Sequence, residues 1–173
     1  MNKVLNITKE DVWKIMDTVM DPEVPVLSVI DLGIIRKIEL LPPLGGQGGA
    51  VEVTITPTYS GCPAMDVIAI NIRMELLSQG FSKVDIKQVL SPAWTTDWMS
   101  EAGKEKLRAY GIAPPNPKQQ VCRDELFAPD ETVQCPHCYS FLTRRISEFG
   151  STACKALYQC NDCQEPFDYF KCH

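Results

Sequence analysis

Two Cys-x-x-Cys pairs, Cys135-Pro136-His137-Cys138 and Cys160-Asn161-Asp162-Cys163, lie 21 residues apart near the end of the chain. Two residues between thiolates allow a tight turn that places both sulfurs about 2.3 Å from one ion, and two such turns close a tetrahedral site. The interval is one residue beyond the usual range for paired zinc knuckles. A segment of about 40 residues cannot bury a sufficient core by itself, so bound metal supplies folding free energy that burial does not. The spacing therefore predicts structural Zn²⁺ on Cys135, Cys138, Cys160 and Cys163, with no coordination position left open. Strands are expected over 141–149 and 156–159, turning at Gly150-Ser151-Thr152. Cys154 is an extra thiol close to this ribbon, Cys122 and Cys172 have no assigned role, and His137 is expected to face solvent. Disulfides are the competing use of paired cysteines, and they belong to oxidising compartments.

No apolar run approaches the 18 or so residues of a membrane span, and MNKVLNITKE lacks the apolar centre of an export signal. The expectation is a cytoplasmic protein without a membrane partner. The net charge is −5, and residues 112–173 carry 6 Lys and Arg against 8 Asp and Glu. That balance repels a phosphate backbone, so no nucleic-acid partner is expected.

The second constraint is the stretch Val51–Asp66, VEVTITPTYSGCPAMD. Val51, Val53 and Ile55 alternate with Glu52, Thr54 and Thr56, the period of a half-buried strand. Pro57 to Gly61 end it, and Pro63 suits a first helical position, which places Cys62 at the helix N-cap. Free N–H groups and the helix dipole would there favour thiolate and hold the thiol below the roughly 8.5 of a free cysteine. A buried, inert cysteine is the competing reading.

The remaining pattern gives a small two-layer α+β domain in the order α-β-β-α-β-α. A first helix starts from an N-cap at Thr8 with Asp11 three residues on, and Val12, Ile15, Met16 and Val19 form its apolar stripe. Asp21-Pro22-Glu23-Val24-Pro25 stops it in a rigid acidic turn that could supply oxygen ligands. A strand over 34–40 follows the turn Asp31-Leu32-Gly33, and the glycine-rich 42–49 links it to the strand before Cys62. The second helix covers 63–79, with Val67, Ile68, Ile72, Leu76 and Leu77 inward. A strand over 84–90 and a helix over 96–110 complete the domain, with Trp94 and Trp98 between them. The expected division is 1–111 for this domain, 112–134 for a linker with four prolines, and 135–173 for the ribbon.

Asp21-Pro22-Glu23, Asp31-Leu32-Gly33, Thr54 to Pro63 and Ser91-Pro92-Ala93-Trp94 recur in this order in the SufT-like family of iron–sulfur assembly proteins, which the chain resembles over about 8–112. Joined to a four-cysteine tail containing Phe149-Gly150-Ser151-Thr152-Ala153-Cys154-Lys155-Ala156, the chain resembles the PaaD family of phenylacetate-degradation proteins. The resemblance implies an accessory or maturation subunit of a bacterial multicomponent phenylacetyl-CoA epoxidase, with no activity alone. It would help deliver iron or an iron–sulfur cluster to the di-iron oxygenase or the iron–sulfur flavin reductase. It further implies that Cys62 is the reactive thiol and iron or cluster ligand, supported by Asp21, Glu23, Asp31, Thr58 and Ser60. A cluster generally takes four protein ligands, so a homodimer, a partner's cysteine or Cys154 would have to contribute. The alternative is a permanent scaffold subunit without metal transfer. A thiol enzyme is disfavoured because both histidines, His137 and His173, lie in the tail.

Overall fold

The computed structural model describes residues 7–42, 49–115 and 132–171. Most of the glycine-rich connector and of the proline-rich linker, together with Cys122, Cys172 and His173, lies outside the described residues. The chain forms two compact units, Met1–Trp94 and Thr95–His173.

In the first unit, α1 (Lys9–Met16) starts from a reciprocal capping box. The Asp11 N–H donates to Thr8 Oγ1 at 3.2 Å and the Thr8 N–H to Asp11 Oδ2 at 3.0 Å. Val12 and Met16 on its inner face are buried. β1 (Ile35–Leu41) pairs antiparallel with β2 (Ala50–Ile55), and β2 pairs parallel with β3 (Lys83–Gln88), giving the order β1-β2-β3. A parallel pair needs a crossover, and α2 (Ala64–Ser78) supplies it. Every second residue of β2 enters the core, and Val51, Val53 and Ile55 are buried as the alternation predicts.

The second helix corrects one expectation. Ile68, Ile72 and Leu76 are buried, but Val67 and Leu77 are exposed. Successive helical residues are rotated by about 100°, so the neighbours of Ile68 and Leu76 swing out of the packed stripe.

The second unit begins with a single 3₁₀ turn at Thr96–Trp98 and α3 (Glu101–Tyr110), whose N-cap Ser100 accepts from the Gly103 N–H at 2.8 Å. The expected helix over 96–110 is thus two pieces. Gly111 ends α3 at φ 91°, a left-handed conformation that glycine adopts without cost. The short β4 (Ile112–Ala113) then joins β5 (Thr143–Ser147), β6 (Lys155–Cys160) and β7 (Pro166–Phe170) in one sheet of order β4-β7-β6-β5. β4 runs parallel to β7, and the other pairs are antiparallel. The ribbon is therefore larger than the two-strand hairpin expected from sequence. The compact units divide at 94/95, and in the second of them β4 hydrogen-bonds into the ribbon sheet directly after α3.

The core of this unit contains Val133, Cys135, Tyr158, Cys160, Phe167 and Tyr169. Tyr158 stacks on Phe167 at 6.0 Å and meets Tyr169 edge-on at 5.6 Å. The Phe149–Ala156 motif forms the turn between β5 and β6. Lys155, almost fully buried, lies 3.6 Å from Asp168 Oδ2, which also accepts from Ser151 Oγ at 2.8 Å. A Cβ at Gly150 would collide with this carboxylate, so the motif's glycine makes room for a buried ion pair.

Candidate metal and thiol sites

Cys62 sits in the loop between β2 and α2. Past the end of β2, the Thr56 N–H donates to the Ile34 carbonyl at 2.9 Å, while Thr56 Oγ1 is buried with no hydrogen-bond partner. The loop tightens through Cys62 N–H to the Tyr59 carbonyl at 3.3 Å and Met65 N–H to the Cys62 carbonyl at 3.3 Å. Gly61 holds φ 85°, and that conformation rather than crowding requires glycine, since a Cβ there would meet nothing.

The N-cap of α2 is Pro63, not Cys62, so the thiol stands one residue outside the expected position. The expected thiolate is corrected as well. Burial pushes the Cys62 thiol above its usual 9.0, against opposing hydrogen bonds from the Ala64 N–H and the Tyr59 hydroxyl, and the Glu23 and Asp21 carboxylates raise it further. Desolvation outweighs the helix terminus.

Asp21 and Glu23 thus act on Cys62 from the acidic turn. Asp21 is buried, and its Oδ1 accepts from the Glu23 and Val24 N–H groups at 2.7 Å each. Asp31 is buried, and its Oδ2 accepts from the Ser28 N–H at 3.1 Å. Ser28 Oγ also lies 2.6 Å from Asp17 Oδ1. Thr58 is half-buried and Ser60 exposed in the Cys62 loop. Trp94 is buried, and its Nε1–H donates to the Leu32 carbonyl at 2.8 Å, fixing the turn after Asp31. Sequence reasoning missed Tyr59; its place three residues before the cysteine, where a tight turn folds back, was the available signal.

A second cluster lies in the ribbon. The Sγ atoms of Cys135, Cys138, Cys160 and Cys163 all lie within 4.8 Å of one another. Cys135 and Cys163 are 3.8 Å apart, and Cys138 and Cys160 are 3.5 Å apart. Four sulfurs at about 2.3 Å from one ion in a tetrahedron are separated by about 3.8 Å, close to both of these distances, so the quartet is gathered as a site for one such ion. Both knuckles share one device. The residue after each pair, Tyr139 or Gln164, takes positive φ (63° and 64°). The chain then folds back through Cys135 N–H to Ser140 O at 2.9 Å and Cys160 N–H to Glu165 O at 3.0 Å.

The electrostatics of the quartet call for a cation. The Cys163 N–H, with that of Asp162, draws Cys160 down to about 7. Cys163 receives the Glu165 N–H, yet burial and the neighbouring thiols push it up to about 12. Packed sulfurs resist ionising together unless a metal replaces their protons. Cys154 stands outside the quartet, buried, with its Sγ 3.0 Å from Thr152 Oγ1. His137 is exposed, as expected, and its ring approaches Gly111. Among the described residues, no helix is long and apolar enough to cross a membrane.

Comparison with known proteins finds a separate family match for each part of the chain. Residues 9–86 match the family model of an iron–sulfur cluster assembly protein, and residues 119–171 match that of the PaaD zinc beta ribbon domain. The chain is 48% identical to a subunit of the "Putative 1,2-phenylacetyl-CoA epoxidase" of Escherichia coli strain K12, over 94% of this chain and 92% of that one. An Fe-S protein maturation auxiliary factor of Porphyromonas gingivalis is 40% identical over 62% of this chain and 97% of its own length. A Bacillus subtilis factor of the same description is 28% identical over 57% of this chain and 92% of its own. With an iron–sulfur assembly segment ahead of a PaaD ribbon, and near-full-length similarity to the E. coli protein, the chain belongs to the PaaD family of phenylacetyl-CoA epoxidase subunits.

Proposed function

We propose that this protein is a cytoplasmic accessory subunit of a phenylacetyl-CoA epoxidase that delivers iron or an iron–sulfur cluster to the oxygenase or the reductase. The observation that carries the reading is the half-buried Cys62 thiol, in a loop turned toward the carboxylates of Asp21 and Glu23. Thiolate sulfur suits iron–sulfur clusters as well as zinc and copper(I), and the carboxylates add harder oxygen donors. A thiol that keeps its proton at neutral pH gives a ligand that forms and breaks with proton exchange, as transfer requires. Similarity to maturation factors over the same segment supports the assignment. The Cys135–Cys163 quartet would hold zinc as a permanent structural ion, and the ribbon would dock on the epoxidase.

The test is elemental analysis of anaerobically purified protein beside Cys62→Ala. The expected result is close to one zinc per chain in both, with iron in the wild type that the variant loses. Equal iron in both proteins, and in epoxidase produced with either, would refute delivery through Cys62. That outcome supports a permanent scaffold subunit, which the exposed Tyr139, Phe141 and Leu142 beside the first knuckle would suit.

A further inference from the structure

The ribbon sheet has one face on its core and one turned away. β6 sends Ala156, Tyr158 and Cys160 into the core and Leu157 and Gln159 to the other side. Residues paired in register share a side, so Arg144, Gln159 and Pro166 form one row of that outer face. The Leu142 carbonyl accepts from the Asn161 N–H at 2.7 Å, which carries the register one residue past β5 and puts Leu142 on the side of Arg144. Ile146 is the extra residue where the register slips. Leu142 is 61% and Ile146 50% exposed, and Pro166 is exposed as well. The solvated face of an antiparallel sheet ordinarily carries polar residues, whereas this one is aliphatic around a guanidinium.

Arg144 is already oriented. Its Nη2 donates to Gln159 Oε1 at 2.7 Å, and Gln159 Nε2 donates to the carbonyl of Gln164, directly after the second knuckle, at 3.2 Å. Among the described residues Arg144 has no carboxylate partner, whereas Arg145 has Glu148 at 2.7 Å.

We propose that this open face is where the ribbon receives a partner protein, and that the partner brings a carboxylate set among apolar side chains, which Arg144 takes while Leu142 and Ile146 pack around it. The inference rests on the reading, given above, that the ribbon docks on the epoxidase.

Charge selects this occupant. Covering the aliphatic residues strips water from the guanidinium, and a charge so buried is costly unless it is paired. One neutral amide engages one of its five donors, which leaves a planar fork suited to two carboxylate oxygens. A second copy meeting the same face would set Arg144 against its own equivalent. A nucleic acid needs a run of cations and aromatic rings for stacking. Here aliphatic side chains surround one cation without a counter-charge, on a chain of net charge −5.

The test uses the full chain co-produced with the oxygenase and reductase subunits of an epoxidase, with a photoreactive side chain introduced at Leu142 or at Ile146 and, as a control, at the exposed Leu90. Irradiation is expected to join both ribbon positions, and not the control, to one epoxidase subunit, in a segment that mass spectrometry shows to carry Asp or Glu among apolar residues. Arg144→Glu is expected to weaken association at least about tenfold, with zinc per chain unchanged. Lys106→Glu, the same change of charge on an exposed position of α3, is expected to leave it unaltered. Exchanging the cross-linked carboxylate for Lys should restore binding to the Arg144→Glu protein. Association that survives Arg144→Glu and gives no cross-link from 142 or 146 overturns the proposal and leaves docking through another face. A chain that co-purifies with no epoxidase subunit removes the docking reading and the proposal together. Cross-links that reach only a second copy, the first unit of the same chain or RNA overturn the proposal too.

Discussion

The Lys155–Asp168 pair predicts an asymmetry. The Lys155 side chain is 5% exposed and that of Asp168 20%, with Nζ 3.6 Å from Oδ2, and Asp168 also accepts from Ser151. Removing one member of a buried pair costs up to about 3–5 kcal/mol because the other charge is stranded, whereas removing both is nearly neutral. Asp168→Asn strands the deeper ammonium, and the amide oxygen can still accept one hydrogen bond, so about 3 kcal/mol is expected. Lys155→Met leaves a carboxylate with its serine donor and some water, so about 1 kcal/mol is expected. The double variant should lose less than the sum, by about 3 kcal/mol. Urea unfolding at a fixed free-zinc concentration, followed by circular dichroism, measures all three. Asp168→Asn costing no more than Lys155→Met, or a double variant equal to the sum of the singles, would refute the argument.

Two further predictions concern the thiols. Cys138 and Cys163 are both raised above 9.0, Cys163 up to about 12, so at pH 8 the metal-free quartet still carries both protons. Zinc binding should release at least those two, and affinity should rise with pH through this range, by about tenfold per unit for each proton displaced; calorimetry in buffers of different ionisation enthalpy counts them, and no proton release would contradict the site. Cys62 is raised chiefly by burial, so in metal-free protein it should alkylate more slowly than a peptide cysteine at pH 8, with a rate still climbing above pH 9. Peptide mapping after iodoacetamide labelling reads this, and a plateau below pH 8 would restore the thiolate.

Periodicity and metal spacing made much of this molecule legible. The alternation in Val51–Ile55 and the Thr8–Asp11 cap act within a few residues, so sequence displays them directly. The quartet was readable because ligand spacing records knuckle geometry. The Cys62 thiolate was misjudged because a one-residue shift of the helix start and desolvation by neighbours distant in sequence decide the outcome. Val67 and Leu77 were placed inward because apolar identity does not say which of two stripes faces the sheet. β7 was overlooked although Phe167 and Tyr169 alternate with Pro166, Asp168 and Phe170, and its aromatic residues are the signal that would have found it. β4 is two residues long and exists only through its pairing with β7.

β5 lies at the edge of the ribbon sheet, with Arg144 and Arg145 adjacent and its register slipping between Arg145 and Ser147. An open, flat, apolar edge is a template on which a foreign strand can grow, and charge with a bulge spoils that template. Ile146, half exposed on this strand, and the exposed Phe149 just beyond it can therefore be offered to a partner side chain by side chain without inviting sheet extension. The same kink that disturbs the ladder separates recognition from fibril growth.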